Sequence, residues 1–328
     1  MKISNDLINL NRTIYYKNHE TGKYGKPPEE RTVEELLNFG IIILDKPEGP
    51  TSHQVASFVR DILNVKAGHS GTLDPKVSGV LPIGLEKATR IMHYLLTAGK
   101  EYVGIMHLHE KISLDKIEET RKKFIGEIEQ LPPVRSAVKR KLRKRKIYYW
   151  DFLEIDEQDI LFRVGVEAGT YIRKLCHDFG ISLGTKAHMT QLRRTKVGLL
   201  DEEHSWNLYD LKDSYYLYKN ENNEYLIRKI ILPAEYGIQH LPKIWVNDDT
   251  VYYLTHGGNL FVPGISKFTS DVEKEKNVAL FTLKNELIGI GIAKMNAEEI
   301  LNNTKGLAVK IDAVFMNQDY FPKIEKKS

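Results

Sequence analysis

The sequence predicts an α+β chain of two domains, a larger one mixing strands with amphipathic helices and a smaller one built as a β barrel. Three observations carry this. At 328 residues the chain is long enough for two domains, each burying its own core. In its first two thirds, apolar runs of strand length alternate with stretches of helical periodicity. Beyond Pro233 and Pro242, short strands and glycines take over.

In order along the chain, residues 1 to 30 are polar, carry Gly22, Gly25, Pro27 and Pro28, and show little periodicity. They read as an arm that orders only by lying on something else. Thr32 and Glu35 form a capping-box pattern for a short helix ending at Gly40. Ile41 to Leu44 reads as a central strand, followed by a Pro- and Gly-rich turn from Asp45 to Ser52. Thr51 or Ser52 then caps a helix with Val55, Phe58, Val59, Ile62 and Leu63 on its buried face. Val80 to Leu85 reads as a buried strand. Glu86 to Ala98 reads as a helix with Ile91, Met92, Leu95 and Leu96 inward, and Lys100 to Met106 as an alternating strand.

Ser113 to Phe124 has the pattern of a surface helix, and Trp150 to Ile155 and Ile160 to Val166 that of paired strands. Gly169-Thr170 reads as the cap of a helix that buries Ile172, Leu175, Cys176 and Phe179 and closes at Gly180. Trp206 to Tyr218 and Tyr225 to Ile231 read as helices, and Leu280 to Ala293 as a hairpin turning at Asn285.

Composition narrows the function. A single cysteine, Cys176, allows no intramolecular disulfide, and no Cys/His spacing suggests a zinc site. No apolar run reaches the ~20 residues of a membrane span, and the first residues lack the apolar core of a signal peptide. No membrane partner and a cytoplasmic location are therefore expected. The net charge of +4 is mild, but its distribution is uneven. From Lys139 to Lys146, seven residues of eight are basic, and Ile147-Tyr148-Tyr149-Trp150 follow. One sign of charge repeated along a helix repels itself, so strand or loop geometry is expected. In that setting Arg140, Lys141, Arg143 and Arg145 supply phosphate contacts that position RNA rather than read its sequence.

The chemistry centres on Gly68-His69-Ser70-Gly71-Thr72-Leu73-Asp74-Pro75. Two glycines three apart permit a tight turn, and Pro75 biases Asp74 towards extended geometry. A stiff loop thus presents one carboxylate. This octet, with Val77-Ser78-Gly79-Val80-Leu81-Pro82 after it, resembles the catalytic motif of TruB-type pseudouridine synthases. Gly169-Thr170-Tyr171-Ile172-Arg173 and Leu192-Arg193-Arg194 match two further family motifs in the expected order. Pro132-Pro133-Val134-Arg135-Ser136-Ala137-Val138-Lys139-Arg140 narrows the resemblance to the dyskerin-like branch in its archaeal form. It extends from about Asn38 to Phe315.

The resemblance implies a mixed, mainly antiparallel catalytic sheet over residues 41–240 and a PUA pseudo-barrel over 241–322, with the arm, 1–40, packed on the latter. It implies Asp74 as nucleophile, Arg173 as its carboxylate partner and Tyr102 as the ring that stacks on the base. His69, Ile172 and Leu192 would bind substrate, Lys46 and Pro47 would brace the loop, and Gly258, Pro263 and Gly264 would contact RNA. The reaction implied is isomerisation of uridine to pseudouridine. It uses no redox or phosphate energy, and the chain has no dinucleotide or phosphate-loop pattern, so no cofactor is expected.

The expected partners are a hairpin guide RNA, rRNA and tRNA substrates, and small archaeal ribonucleoprotein subunits. Two other readings compete: a stand-alone enzyme acting on the T-loop uridine of tRNA, and an RNA-binding scaffold without catalysis. The short interval between Tyr102 and the Pro-Pro segment, with the basic run after it, favours the guided enzyme.

Overall fold

Where the apolar runs fall, the chain forms sheets. The computed structural model describes residues 12–132 and 141–323 and divides into two units: one holds 37–232, the other 10–36 and 233 onward. The division falls short of residue 240 because Glu235 is tied to the smaller unit. Both its oxygens take hydrogen bonds from Arg31, at 2.7 and 2.8 Å, and the Leu287 amide donates to one of them.

The larger unit carries a ten-stranded sheet. Most of it runs Gly40–Lys46, Ser78–Leu85, Ala187–Val197, Lys100–Leu108, Asp159–Val166, Arg143–Asp156 and Gly126–Gln130. Gly40–Lys46 therefore lies near a margin of the sheet, not at its centre. From Ala187–Val197 towards Gly126–Gln130 the neighbours pair antiparallel. Ser78–Leu85 and Ala187–Val197 run parallel along a short seam, Ser78 beside Arg193 and Gly79 beside Arg194. The Asp74 loop enters the sheet at this seam.

One core cluster holds Trp150, Phe162, Phe179, Cys176 and Tyr102, with Trp150 edge-on to Phe179, ring centres 5.0 Å apart. Burial pushes the Cys176 thiol up to about 12, so it serves as packing and not as a nucleophile.

Several local expectations change. Glu86–Arg90 is a 3-10 turn, followed by a four-residue helix at Met92–Leu95. Glu86 itself sits at φ 41° with its amide held by Lys66 O at 2.8 Å, which breaks the helix that periodicity suggests. Leu96 is exposed, and so is Phe58 on helix Ser52–Leu63. Tyr171, rather than Thr170, is the N-cap residue of helix Ile172–Ser182, and the helix runs through Gly180. A Cβ at Gly180 would come within 2.3 Å of the Ala187 amide, so glycine serves packing here and not termination. The helix expected from Trp206 starts at Leu208, capped by Asn207, because Trp206 is drawn into a bridge with Leu44. Of the segment 225–231, only Ile227–Ile230 is helical.

The smaller unit is a seven-stranded sheet. Ile14–Tyr16 from the arm pairs antiparallel with Ile265–Thr269. Arg12 fastens the arm through the Gln239 and His240 carbonyls, at 2.8 and 2.7 Å, and through Asp271 at 2.7 Å. The hairpin turns at Asn285, which adopts φ 68°. No helix of the described residues is long and apolar enough to cross a membrane.

Candidate active site

The loop between strands Ala67–His69 and Ser78–Leu85 is held from beneath by buried polar groups. Lys46, wholly buried, donates to the carbonyls of Pro47 at 2.8 Å, Val77 at 2.9 Å and Pro75 at 3.4 Å. An ammonium has three donors, and here three loop carbonyls receive them. Ser52, read from sequence as a possible cap, is equally buried and clasps the Leu73 backbone. Its hydroxyl accepts from the Leu73 amide at 2.8 Å and donates to the Leu73 carbonyl at 3.2 Å. Thr51 does the capping.

Asp74 projects from this braced loop, and Arg173 Nη2 donates to its Oδ2 at 2.8 Å. Arg173 is aimed by its place in the first turn of helix Ile172–Ser182. The preceding Tyr171 is fixed by Gln130, whose amide group bonds the Tyr171 N–H at 3.0 Å and its carbonyl at 3.2 Å. Contact is through one hydrogen bond, not a two-pronged fork, and both side chains are more than half exposed. The carboxylate is therefore open to water until something covers it.

A cavity of about 370 Å³ opens beside the pair. Tyr102, Ile172 and Leu192 supply its apolar wall, with Leu73, Lys100 and Arg194. Asp74, Arg173, Lys100 and Arg194 add charged groups to this apolar lining, the mixture typical of a small-ligand site. His69 is not among the lining residues. Its Nε2 meets His53 Nδ1 at 2.8 Å, and burial, then His53 and Arg194, push its pKa below the ordinary imidazole range. A neutral ring results, suited to stacking rather than to ion pairing.

A second cavity, about 990 Å³, is lined by Phe58, Ile62, Leu208, Tyr215 and Tyr216 together with Asp45 and Arg193. Its Asp45 carboxylate is held by both Nη atoms of Arg193, at 2.9 and 3.1 Å. Adjacent arginines thus point to opposite sides of one strand: Arg193 to this ion pair, Arg194 into the site.

Lys100 is buried and donates to the Ala98, Leu96 and Leu95 carbonyls at 2.8, 3.1 and 3.4 Å. Burial, aided by the Arg194 charge, lowers its pKa from 10.5 to about 7. The unfolded chain then binds more protons between those values, so this group's share of stability rises as pH climbs through that window. In Lys100→Met, the urea midpoint is expected to rise less from pH 7 to about pH 9.5 than in the parent. Parallel midpoints would remove the effect.

Of the basic run, Arg140 lies outside the described residues. Lys141 is exposed, and Arg143 and Arg145 belong to strand Arg143–Asp156. Part of the charge is already answered, since Lys144 pairs with Glu127 at 2.7 Å. Arg145 lies across Gly169 at the cavity lip, 3.1 Å from where a Cβ would stand, and its buried Nε has no hydrogen-bond partner among the described residues. Gly258 and Gly264 occur where helix Asp248–Thr255 passes too close for a side chain, and Pro263 lies between them in the turn Val262–Gly264. Among the described residues no His, Cys, Asp and Glu cluster is placed to hold a metal ion.

Sequence reading missed Ser52, Gln130, Lys100 and Arg194. Nothing local marks the first two. Arg194 lies inside a matched motif and Lys100 opens the strand that carries Tyr102, and for both burial was the missing information.

Comparison with known proteins places this geometry. Residues 60–172 match the TruB family pseudouridylate synthase N-terminal domain, and 173–239 the tRNA pseudouridylate synthase B C-terminal domain. Residues 242–315 match the PUA domain and 1–56 the DKCLD domain. The probable tRNA pseudouridine synthase B of Pyrococcus furiosus is 53% identical over 314 residues, 95% of this chain and 92% of that one. Its counterpart in Nanoarchaeum equitans is 51% identical over 302 residues, 92% of this chain and 87% of its own.

Among solved structures, a chain of a Cbf5-Nop10-Gar1 complex superposes with a TM-score of 0.93 at 52% identity, covering 96% of this chain and 98% of that one. A chain of an H/ACA RNP bound to a substrate RNA containing 2'-deoxyuridine follows at 0.90 and 50%, covering 96% and 98%. With the motif residues gathered at one cavity and relatives matched nearly end to end, the chain belongs to the TruB family of pseudouridylate synthases.

Proposed function

We propose that this chain isomerises uridines in RNA to pseudouridine as the catalytic subunit of an archaeal box H/ACA ribonucleoprotein. The observation that carries the reading is the Asp74–Arg173 pair at 2.8 Å beside a base-sized cavity walled by Tyr102, Ile172 and Leu192. Its similarity to chains in solved H/ACA assemblies supports the guided form and partners of the Nop10 and Gar1 kind. An archaeal cytoplasm is the compartment that goes with this reading.

In the reaction the bond from N1 to the ribose C1′ breaks and a C5–C1′ bond forms. The C5 proton is lost and N1 gains one, so atoms balance with no cofactor. The uridine first leaves its stack, at a cost of a few kcal/mol. Tyr102 then stacks on it, and His69 fills the space behind. The covering base and RNA exclude water from Asp74, which strengthens both its nucleophilic charge and the hold of Arg173. Lys46 and Pro47 keep the loop from yielding, and Gly258, Pro263 and Gly264 shape the RNA-binding face of the smaller domain.

The relatives' description as tRNA pseudouridine synthase B favours a second activity on tRNA. Both are tested by measuring pseudouridine in a tRNA transcript and in an rRNA fragment, with and without a hairpin guide RNA. Formation in the fragment only with the guide is expected. Formation independent of the guide in every RNA would leave only the stand-alone enzyme, and none in any RNA would leave the scaffold.

Replacing Arg143 and Arg145 with Gln is expected to weaken RNA binding uniformly across sequences and to flatten its salt dependence by roughly one unit of slope per lost phosphate contact. A titration with unchanged slope would return this strand to a merely solvated face.

A further inference from the structure

Arg194 is the least expected group in the site. It is 1% exposed, yet its described partners are two carbonyls and a phenol. Nε donates to Val80 O at 2.8 Å and Nη2 to Gly71 O at 3.3 Å, and the guanidinium is electrostatically coupled to the Tyr102 phenol. Burying a cation without a carboxylate beside it costs several kcal/mol. A guanidinium stays charged where a lysine would shed its proton. Its field is felt around it: burial with an Arg194 contribution pulls Lys46, His69 and Lys100 towards their neutral forms. A fold that retains such a group against its cost does so for something other than packing.

The geometry says what. Tyr102 and Arg194 are direct cross-strand partners, next to a bulge whose extra residue, Thr195, lies on Arg194's strand. Both side chains line the cavity that holds Asp74. A guanidinium only donates, so in a hydrogen bond between the two the Tyr102 oxygen is the acceptor. This fixes the tip of the ring and turns the phenol's own proton away from Arg194. The contact to Gly71, on the Asp74 loop, is the longer one and therefore the weaker.

We propose that Arg194 is a positioning residue for pseudouridine formation, acting through Tyr102 by holding its hydroxyl so that the stacked base meets Asp74 in one orientation. The inference rests on the reading that Asp74 and Tyr102 handle a uridine.

The test is a double-mutant cycle in single-turnover assays on guide-programmed complex, with RNA affinity measured separately. Tyr102→Phe keeps the ring and removes only the acceptor. Arg194→Met is expected to slow turnover about 100-fold with RNA affinity within about threefold, and to cost under about fivefold in the Tyr102→Phe background. Arg194→Lys, which keeps a cation, guards against misfolding of the Met variant. It is expected to lose at least about tenfold alone and almost nothing in the Phe background. Equal losses in both backgrounds would make Arg194 a structural residue and overturn the inference while leaving the enzyme intact. Parent protein inactive on every RNA would overturn the functional reading, and this inference with it.

Discussion

In Asp74→Asn, pseudouridine formation is expected to fall by at least about ten-thousand-fold while RNA affinity stays within about threefold. The exchange is nearly isosteric, so the Lys46 and Ser52 bonds to loop backbone remain, and what disappears is the negative oxygen itself. Arg173 loses its counter-charge, but both groups are more than half exposed, so water meets the guanidinium and the fold is little disturbed. Single-turnover pseudouridine formation alongside a binding isotherm checks this. A variant that still turns over within tenfold of the parent would take Asp74 out of the chemistry.

Gly79→Ala is expected to cost at least about 3 kcal/mol of stability and to lower the activity of whatever folds. Gly79 has φ 106°, a region closed to side-chain-bearing residues. A Cβ there would stand 2.2 Å from the Arg194 carbonyl and 2.8 Å from its amide. Both obstacles are backbone, which cannot swing aside. The seam between Ser78–Leu85 and Ala187–Val197 would have to open just below the Asp74 loop and carry Arg194 away from Tyr102. Urea unfolding measures the loss, and a midpoint unchanged from the parent would show that the seam yields more easily than its geometry implies.

The residues that meet at the cavity were legible because each lies in a short motif with its own turn or strand. Asp74 follows a glycine-bounded bend, Arg173 opens a helix, and Tyr102 alternates along a strand. What holds them was not. Gln130 reaches Tyr171 across 41 positions, Lys46 reaches Val77 across 31, and Ser52 reaches Leu73 across 21. Periodicity carries no record of such pairings. It also misjudged Leu96 and Phe58, whose spacing suits a buried face. The helix for Leu96 was broken at Glu86, and Phe58 lines a cavity. The overall class was easier, since strand-length apolar runs and glycine-punctuated hairpins survive any error of a few residues at their ends.

The pairing of Ile14–Tyr16 with Ile265–Thr269 bears on how the polypeptide is made. Its opening segment leaves the ribosome about 250 residues before its mate, which at ordinary elongation rates is a wait of tens of seconds. During that wait the catalytic domain can complete itself, while the other domain stays unfinished at both its ends. Until the early strand returns, Ile265–Thr269 shows a bare hydrogen-bonding margin, the kind of surface that captures a neighbouring nascent chain.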